Sequence, residues 1–203
     1  MNDVVLGLDL STRGLGMCAV PAGWDLNWRC VRFCTLALPL KRSATPREKL
    51  DRMRALALDV RIWATRVGAT HVWAESVPTL GFNLITLAQL RFAVDLELYS
   101  EMGLVTLDAN QSSVRKFLLG KLPAKNRKAC ISEALKATDD PFDDDDQRDA
   151  FAVVNWGLSE LGAPCMTGLL GAPWGPSDSG APSIAGLLGG AKAKARKRRT
   201  AAA

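Results

Sequence analysis

Hydrophobic and polar residues follow two different patterns along the chain. One is a set of short apolar runs rich in β-branched and aromatic residues, at 4–10, 14–20, 28–38, 70–77 and 104–107. These runs predict five strands. The first three follow one another closely, and a short polar turn that contains Gly14 separates the first two, so we expect them to pair antiparallel.

The second pattern is a recurrence of apolar residues at helical spacing. It predicts helices at 46–67, 83–102, 112–119, 124–137 and 146–161. The clearest of these begins at Pro46 and is followed by Gly68, the usual signals for a helix start and stop. Because the later strands alternate with helices, they should pair in parallel. The chain is therefore predicted to be an α/β protein with a mixed five-stranded sheet flanked by helices.

The composition changes after residue 162. Gly-Ala-Pro recurs there at an interval of nine residues, and eight of the 17 glycines lie within 162–190. Such short units bury no core, so we expect one globular domain over 1–163 and a largely disordered, low-complexity segment over 164–203. This segment ends in KAKARKRR, which is typical of an arm that binds polyanions without sequence preference.

The net charge of +5 comes from that tail, whose six basic residues face no acid. Without it, residues 1–190 carry 20 basic and 21 acidic groups. Five cysteines, an odd number, favour free thiols in a reducing compartment. Asp3 lies where a signal peptide needs positive charge, and no apolar stretch is long enough to cross a membrane. We therefore expect a soluble, intracellular protein.

Four carboxylates lie close to the end of a predicted strand or the start of a helix: Asp9, Glu75, Asp146 and Asp149. The last two are three residues apart and share one helix face. An unpaired ionised carboxylate in a core costs several kcal/mol, so such groups need a cation or a hydrogen-bond network. If the first and fourth strands are adjacent and the last helix crosses them, the four acids should converge.

A cluster of this kind suits divalent cations. Oxygen ligands alone favour Mg²⁺ or Mn²⁺, and two such ions about 3.5–4 Å apart can promote phosphodiester hydrolysis. The basic residues at 112–128 would then hold phosphates nearby. Other interpretations remain open at this point: Asp145 could replace Asp146 as a ligand, each acid alone could be structural, and the basic residues could be an ordinary solvated face. His71 is expected to be structural, because it lies about 13 Å along the strand from Glu75.

Four segments, taken in order, resemble the RuvC-like Holliday junction resolvases of the RNase H-like superfamily, especially those of bacteriophages. They are GLDLSTRGLGMCAV at 7–20, AES at 74–76, SVRKFLLGKLPAKNRK at 113–128 and DQRDAFAV at 146–153. The resemblance covers residues 4–160. It departs from the family at Leu10 and Ser11, where a Pro-Gly pair is usual, and at 119–122, where the family has Thr-Gly-x-Gly. Both departures fall where contacts with DNA are set.

The resemblance implies an RNase H-like fold and a metal-dependent endodeoxyribonuclease that cleaves branched double-stranded DNA with two Mg²⁺ or Mn²⁺ ions per active site. Asp9, Glu75, Asp146 and Asp149 would be the catalytic and metal-binding residues. The residues expected to bind DNA are Arg13, Arg115, Lys116, Lys121, Lys125, Arg127 and Lys128. A junction needs two symmetric cuts, so we expect a homodimer, with the helix at 83–102 as the contact.

Two other functions fit the same residues. One is a less selective RNase H-like nuclease that acts on forks, flaps or RNA–DNA hybrids. The other is a DNA-binding module without catalytic activity, although the presence of all four acids argues against it. An actin-like sugar kinase also begins with a strand and an aspartate, but 203 residues cannot hold its second domain.

Overall fold

The computed structural model describes residues 3–11, 14–37, 43–77, 84–120 and 127–166, and these form a five-stranded sheet and five α-helices. The strands are β1 (Val4–Leu10), β2 (Gly14–Pro21), β3 (Arg32–Ala37), β4 (His71–Glu75) and β5 (Thr106–Ala109). The helices are α1 (Pro46–Val67), α2 (Leu84–Met102), α3 (Gln111–Leu119), α4 (Arg127–Lys136) and α5 (Asp145–Glu160).

The sheet has the strand order β3-β2-β1-β4-β5. The first three strands pair antiparallel, whereas β1 with β4 and β4 with β5 pair in parallel. This confirms the predicted mixed sheet, including the adjacency of the first and fourth strands. Strand β1 is at the centre of the sheet, with two strands on each side.

Successive residues of β1 face opposite sides of the sheet, as the pleat of a strand requires. Leu6 and Leu8 belong to a core with the buried faces of α1 and α2. Val5 belongs to the other core, to which α3, α4 and α5 contribute. The sheet is therefore a middle layer between two helical layers, and Asp9, in phase with Val5, faces the layer that contains α5.

Helix α1 shows how closely the local sequence specifies its element. Thr45 caps the helix by accepting a hydrogen bond from the Glu48 backbone N–H, and the Glu48 side chain bonds back to Thr45, which forms a capping box. Pro46 occupies the first turn. Gly68 ends the helix with a φ of 70°, a left-handed conformation that glycine adopts without a steric penalty.

Two strands lie at other residues than the sequence predicted. The third strand was expected from residue 28, but Trp28–Cys30 is a 3₁₀ helix capped by the Asn27 side chain, and β3 starts at Arg32. The fifth strand was expected at 104–107 and lies at Thr106–Ala109 instead, because its register is set by parallel pairing with β4, in which Val72 lies opposite Thr106.

The last described residue, Met166, is buried in the same core as α5, and its backbone N–H donates to Asn155 Oδ1 at 2.8 Å. The domain boundary expected after residue 163 stays a prediction, and the basic tail lies outside the described residues. All five cysteines are unpaired. No helix in the described part of the chain is long and apolar enough to span a membrane.

Candidate active site

Asp9 and Glu75 lie at the same end of two neighbouring parallel strands. Leu8 of β1 is in register with Ala74 of β4, and the two acids are the next residues along their strands. Asp9 is 4% exposed, and Glu75 is half-buried. The two carboxyl groups are in hydrogen-bonding contact. The sheet thus brings together two acids that lie 66 positions apart in the sequence.

Helix α5 crosses this end of the sheet at very close range because two strand residues facing it are glycines. A Cβ built on Gly16 would lie 2.1 Å from the Asp146 carbonyl oxygen, and one built on Gly7 would lie 2.4 Å from that of Ala150. Both distances are far inside van der Waals contact. Only glycine at these positions allows the α5 backbone to rest directly on β1 and β2.

A third glycine allows close packing at the other end of α5. A Cβ on Gly157 would lie 2.4 Å from the indole ring of Trp73, which projects from β4 on the same face of the sheet. Together with Gly7 and Gly16, this contact determines the height of α5 above β1, β2 and β4. The path of the helix over the strands is therefore set by close contacts at three glycines.

The α5 acids lie over this end of the sheet. The Asp146 backbone rests on Gly16, which is paired with Asp9 across β1 and β2. Asp149 is close enough to Glu75 for its charge to act on the Glu75 carboxyl. Both α5 acids are half-buried. The structure therefore places Glu75 close to both Asp9 and Asp149, and the backbone contact brings Asp146 to the strand position beside Asp9, while the convergence of all four acids stays a prediction.

Asp145, the alternative considered for Asp146, has different surroundings. Its carboxylate accepts a 2.6 Å hydrogen bond from Ser132 of α4 and lies 3.4 Å from Arg148 and 3.9 Å from Lys136. The Ser132 hydrogen bond is the main cause of the lowered pKa of Asp145. Its side chain is committed to α4, so Asp146 is the better candidate of the two.

Burial raises the pKa of Glu75, and the nearby negative charge of Asp149 raises it further. Hydrogen bonds from Asp9 and Gln111 and the positive charge of Arg115 oppose the rise without reversing it. The raised pKa means that Glu75, buried beside Asp149, binds a proton more readily than a glutamate in water does.

The predicted DNA-binding residues divide into three groups. Arg115 of α3 is 4.0 Å from the Glu75 carboxylate, with 19% of its side chain exposed, so it borders the acids directly. Lys116 is exposed on the same helix. Arg127 and Lys128 lie in the first turn of α4. Arg13, Lys121 and Lys125 lie outside the described residues.

The donors around Asp9 are all carboxylate oxygens, the ligand type that Mg²⁺ and Mn²⁺ prefer. In the described part of the chain, no three or more histidine, cysteine, aspartate and glutamate side chains stand in an arrangement ready to hold a metal ion. Burial and the charge of Asp149 make an ionised Glu75 costly in the absence of a cation. A divalent cation would offset the repulsion between these acids, so the donor set fits such an ion.

Sequence reasoning missed several polar residues beside the acids. Gln111, the first residue of α3, hydrogen-bonds to Glu75. Thr35 of β3 donates to Asp144 at 2.7 Å, and the Gln147 side chain donates to Thr35 at 3.2 Å. A signal was present for Gln147, which lies between the two predicted acids of α5. Thr35 could have been found by extending the strand register from Asp9 across Gly16.

The fold is RNase H-like, with three antiparallel strands, two strands added in parallel and a helix across the strand ends. Among solved structures, the chain is similar to Thermus thermophilus RuvC in complex with a Holliday junction substrate (20% identity, TM-score 0.58, 79% of this chain and 96% of that one). It is also similar to a further Thermus thermophilus RuvC structure (18% identity, TM-score 0.57, 79% of this chain and 97% of that one).

A third similar structure is the Fowlpox virus resolvase in complex with substrate Holliday junction DNA, with 11% identity, a TM-score of 0.50, and coverage of 78% of this chain and 98% of that one. No protein-family model matches the sequence, and no curated protein matches it. At these identities the similarity establishes the fold, which confirms the predicted RuvC-like, RNase H-like architecture.

Proposed function

We propose that the protein is a Mg²⁺- or Mn²⁺-dependent endonuclease that hydrolyses phosphodiester bonds in branched DNA, in the manner of a Holliday junction resolvase. The observation that carries this proposal is the position of Glu75 beside both Asp9 and Asp149 at one end of the sheet, beneath α5. Acidic side chains so close together do not contribute to the packing of an apolar core. Two of the similar structures are complexes with Holliday junction DNA, which supports a branched substrate.

In this proposal Asp9, Glu75, Asp146 and Asp149 hold two divalent cations. The bound ions would supply Lewis-acid stabilisation of the charge that develops on the phosphodiester. The protein's part is to hold four carboxylates on rigid elements, two on strands and two on one helix face. Ligating carboxylates must be ionised, so binding of the ions would lower the raised pKa of Glu75.

In the same proposal, Arg115 both offsets part of the charge of the acids and binds the DNA. Its guanidinium lies beside Glu75 on the rim of the acid cluster, so it compensates part of the negative charge there. A phosphate that approached the acids would meet this cation first. Arg115 would then orient the scissile strand, while Lys116 and the basic residues at 121–128 and Arg13 would contact neighbouring phosphates.

The test is cleavage of a synthetic four-way junction against linear duplex, flap, single-stranded DNA and an RNA–DNA hybrid, each with Mg²⁺. We expect the junction to be preferred. Asp9→Asn and Asp146→Asn should each lower the rate by about 1,000-fold, the scale of losing a group that stabilises transition-state charge. Asp145→Asn is the matched control on the same helix, and its rate should stay near that of the wild type.

Failure of the wild-type protein to cleave any of these DNAs, or unchanged cleavage by Asp9→Asn, would contradict the proposal. Preference for flaps or hybrids over the junction would favour the less selective nuclease. Binding of branched DNA without cleavage, together with failure to bind Mn²⁺, would favour the non-catalytic module. In each case we place the protein in the cytoplasm, where free thiols stay reduced.

We also propose that the protein acts as a homodimer through α2. One side of this helix exposes Ile85, Phe92, Leu96 and Tyr99, each more than half exposed. Phe92 and Leu96 also line a groove of about 420 Å³ between α1 and α2. A two-fold contact uses the same patch on both subunits, so an apolar helix face can pair with its own copy.

Sedimentation equilibrium should show a dimer that Phe92→Asp dissociates. The control is Leu161→Asp, which changes an exposed leucine beyond α5 and should leave the dimer intact.

A further inference from the structure

The first turn of α5 is tied to β3 by a polar network of Thr35, Asp144 and Gln147, here called the α5 clamp. The Thr35 hydroxyl donates to Asp144 Oδ2 at 2.7 Å, and the Gln147 backbone N–H donates to Asp144 Oδ1 at 2.8 Å. Gln147 Nε2 donates to the Thr35 hydroxyl at 3.2 Å, and its Oε1 accepts from the Asp143 backbone N–H at 3.0 Å. Gln147 is only 5% exposed. Each member therefore bonds to the other two.

The clamp lies on the same row of the sheet as Asp9. In the strand register, Asp9 is paired with Gly16, and Gly16 is paired with Thr35 on its other side. The backbone of Asp146, between Asp144 and Gln147 in sequence, rests on Gly16. The row thus runs from an acid of the cluster, through a glycine that supports α5, to the threonine that holds α5.

Contact with Gly16 alone does not fix the rotation of α5 about its own axis. Gly16 has no side chain that could pack between α5 side chains and prevent the helix from turning. Each residue of a helix advances by about 100° about the axis, so a modest rotation turns Asp146 and Asp149 away from Asp9. The α5 clamp holds residues on both sides of Asp146, and its two hydrogen bonds to Thr35 fix that rotation against the sheet.

We propose that Thr35, Asp144 and Gln147 are positioning residues, which set the orientation of Asp146 and Asp149 toward Asp9 and thereby the affinity of the acid cluster for a divalent cation. This inference rests on the proposed metal site. Groups that orient metal ligands typically change affinity by about 10–100-fold when they are removed. Capping of α5 by Asp144 would by itself require neither Thr35 nor the Gln147 side chain.

The test measures Mn²⁺ binding in the absence of DNA, by the loss of the free-ion signal in electron paramagnetic resonance. Thr35→Val keeps the shape of the side chain and removes the hydroxyl, and it should weaken Mn²⁺ binding about tenfold. Gln147→Leu should do the same without loss of helix propensity. Thr35→Ser restores the hydroxyl and should bind within about twofold of the wild type.

The matched control is Asn155→Ala. Asn155 is also a buried polar residue of α5, but it bonds to the Met166 backbone far from the acids. It should lower the melting temperature as much as Thr35→Val and leave Mn²⁺ affinity unchanged. Amide hydrogen exchange should rise in the first turn of α5 for Thr35→Val and not for Asn155→Ala.

Wild-type affinity in a folded Thr35→Val or Gln147→Leu protein would overturn the inference while leaving the metal site in place. Equal losses in Asn155→Ala, or no recovery in Thr35→Ser, would also overturn it, because the effect would then be general destabilisation. A wild-type protein that binds no Mn²⁺ would refute the proposed metal site, and the inference with it.

Discussion

The two faces of the central sheet use alternate residues of the same strands and yet pack against their helices in opposite ways. On the α1 and α2 face, Leu6 and Leu8 meet apolar helix side chains, and contact is made between side chains. On the α5 face, Gly7 and Gly16 remove the side chains, so the helix backbone lies on the strand backbone. Both faces bury an apolar core, but only the α5 face adds close contacts between helix backbone and strand glycines.

The difference separates stability from the proposed chemistry. A core of interdigitated aliphatic side chains contributes mainly in proportion to the apolar surface it buries, and it tolerates small shifts of its helices. The α5 face gives up some of that burial at Gly7 and Gly16, and it holds the buried Asp9. The same close approach places the α5 acids over the strand ends that carry Asp9 and Glu75. Both faces stabilise the fold, and the α5 face also positions the candidate acids.

The strongest test of this comparison removes volume from the α1 and α2 face. Leu6 is fully buried, and Leu6→Ala should lower the free energy of unfolding by about 2–5 kcal/mol, since the truncation leaves a cavity. Junction cleavage per folded molecule should remain close to that of the wild type. Urea denaturation and active-site titration measure the two quantities. A folded Leu6→Ala protein without activity would show that the two faces are not separable.

The second test adds volume to the α5 face. Gly16→Ala places a methyl group where the Asp146 carbonyl lies, so the first turn of α5 must move. We expect about 1–3 kcal/mol of destabilisation and a loss of cleavage of about 100-fold, because a misplacement of about 1 Å is enough for that. Gly23→Ala is the control, since a Cβ there meets nothing within 4 Å. Normal activity in Gly16→Ala would refute the close contact.

The smallest effect is electrostatic and is expected in the metal-free protein. Burial raises the pKa of Glu75, so the folded state binds a proton more tightly than the unfolded state does. Stability should therefore fall as pH rises from the ordinary glutamate range through the raised pKa. Glu75→Gln cannot ionise, so it should remove this fall and raise the melting temperature at pH 7.5 by about 2 °C with EDTA present.

Melting curves at pH 4 and 7.5 check the sign, with Glu133→Gln, which changes an exposed carboxylate of α4, as the control. A Glu75→Gln protein that melts below the wild type at pH 7.5 would show that Glu75 is stabilised as an anion by Arg115. In that case the α5 face would carry no electrostatic cost in the absence of metal.

Local signals in the sequence were enough for most of the elements. Thr45, Pro46 and Gly68 define the ends of α1 by side-chain hydrogen bonding and backbone preference, which act within a few residues. The same logic failed at Trp28, where residues of high β propensity form a 3₁₀ helix. The reason is tertiary: Trp28 packs on Trp24 and Phe151, at centroid distances of 5.7 and 5.1 Å.

The candidate acids were predictable because a carboxylate in an apolar run is costly wherever the chain goes, and this cost alone identified Asp9 and Glu75. The choice between Asp145 and Asp146 was not predictable. The two are neighbours on one helix, and only the packing of α4 shows that Ser132 engages Asp145. Thr35 was missed for a similar reason, since its partners are 109 and 112 residues away.

The sequence by itself determined the order of strands and helices along the chain, the fold class and the candidate acids. It could do so because secondary-structure propensity, helix capping and the cost of burying a charge all act locally. Only the tertiary structure decided how these acids are held. Contacts between Gly16 and Asp146, Gly157 and Trp73, and Thr35 and Gln147 join residues far apart in the chain. Their energies depend on distances that exist only once the sheet has formed and α5 has settled on it.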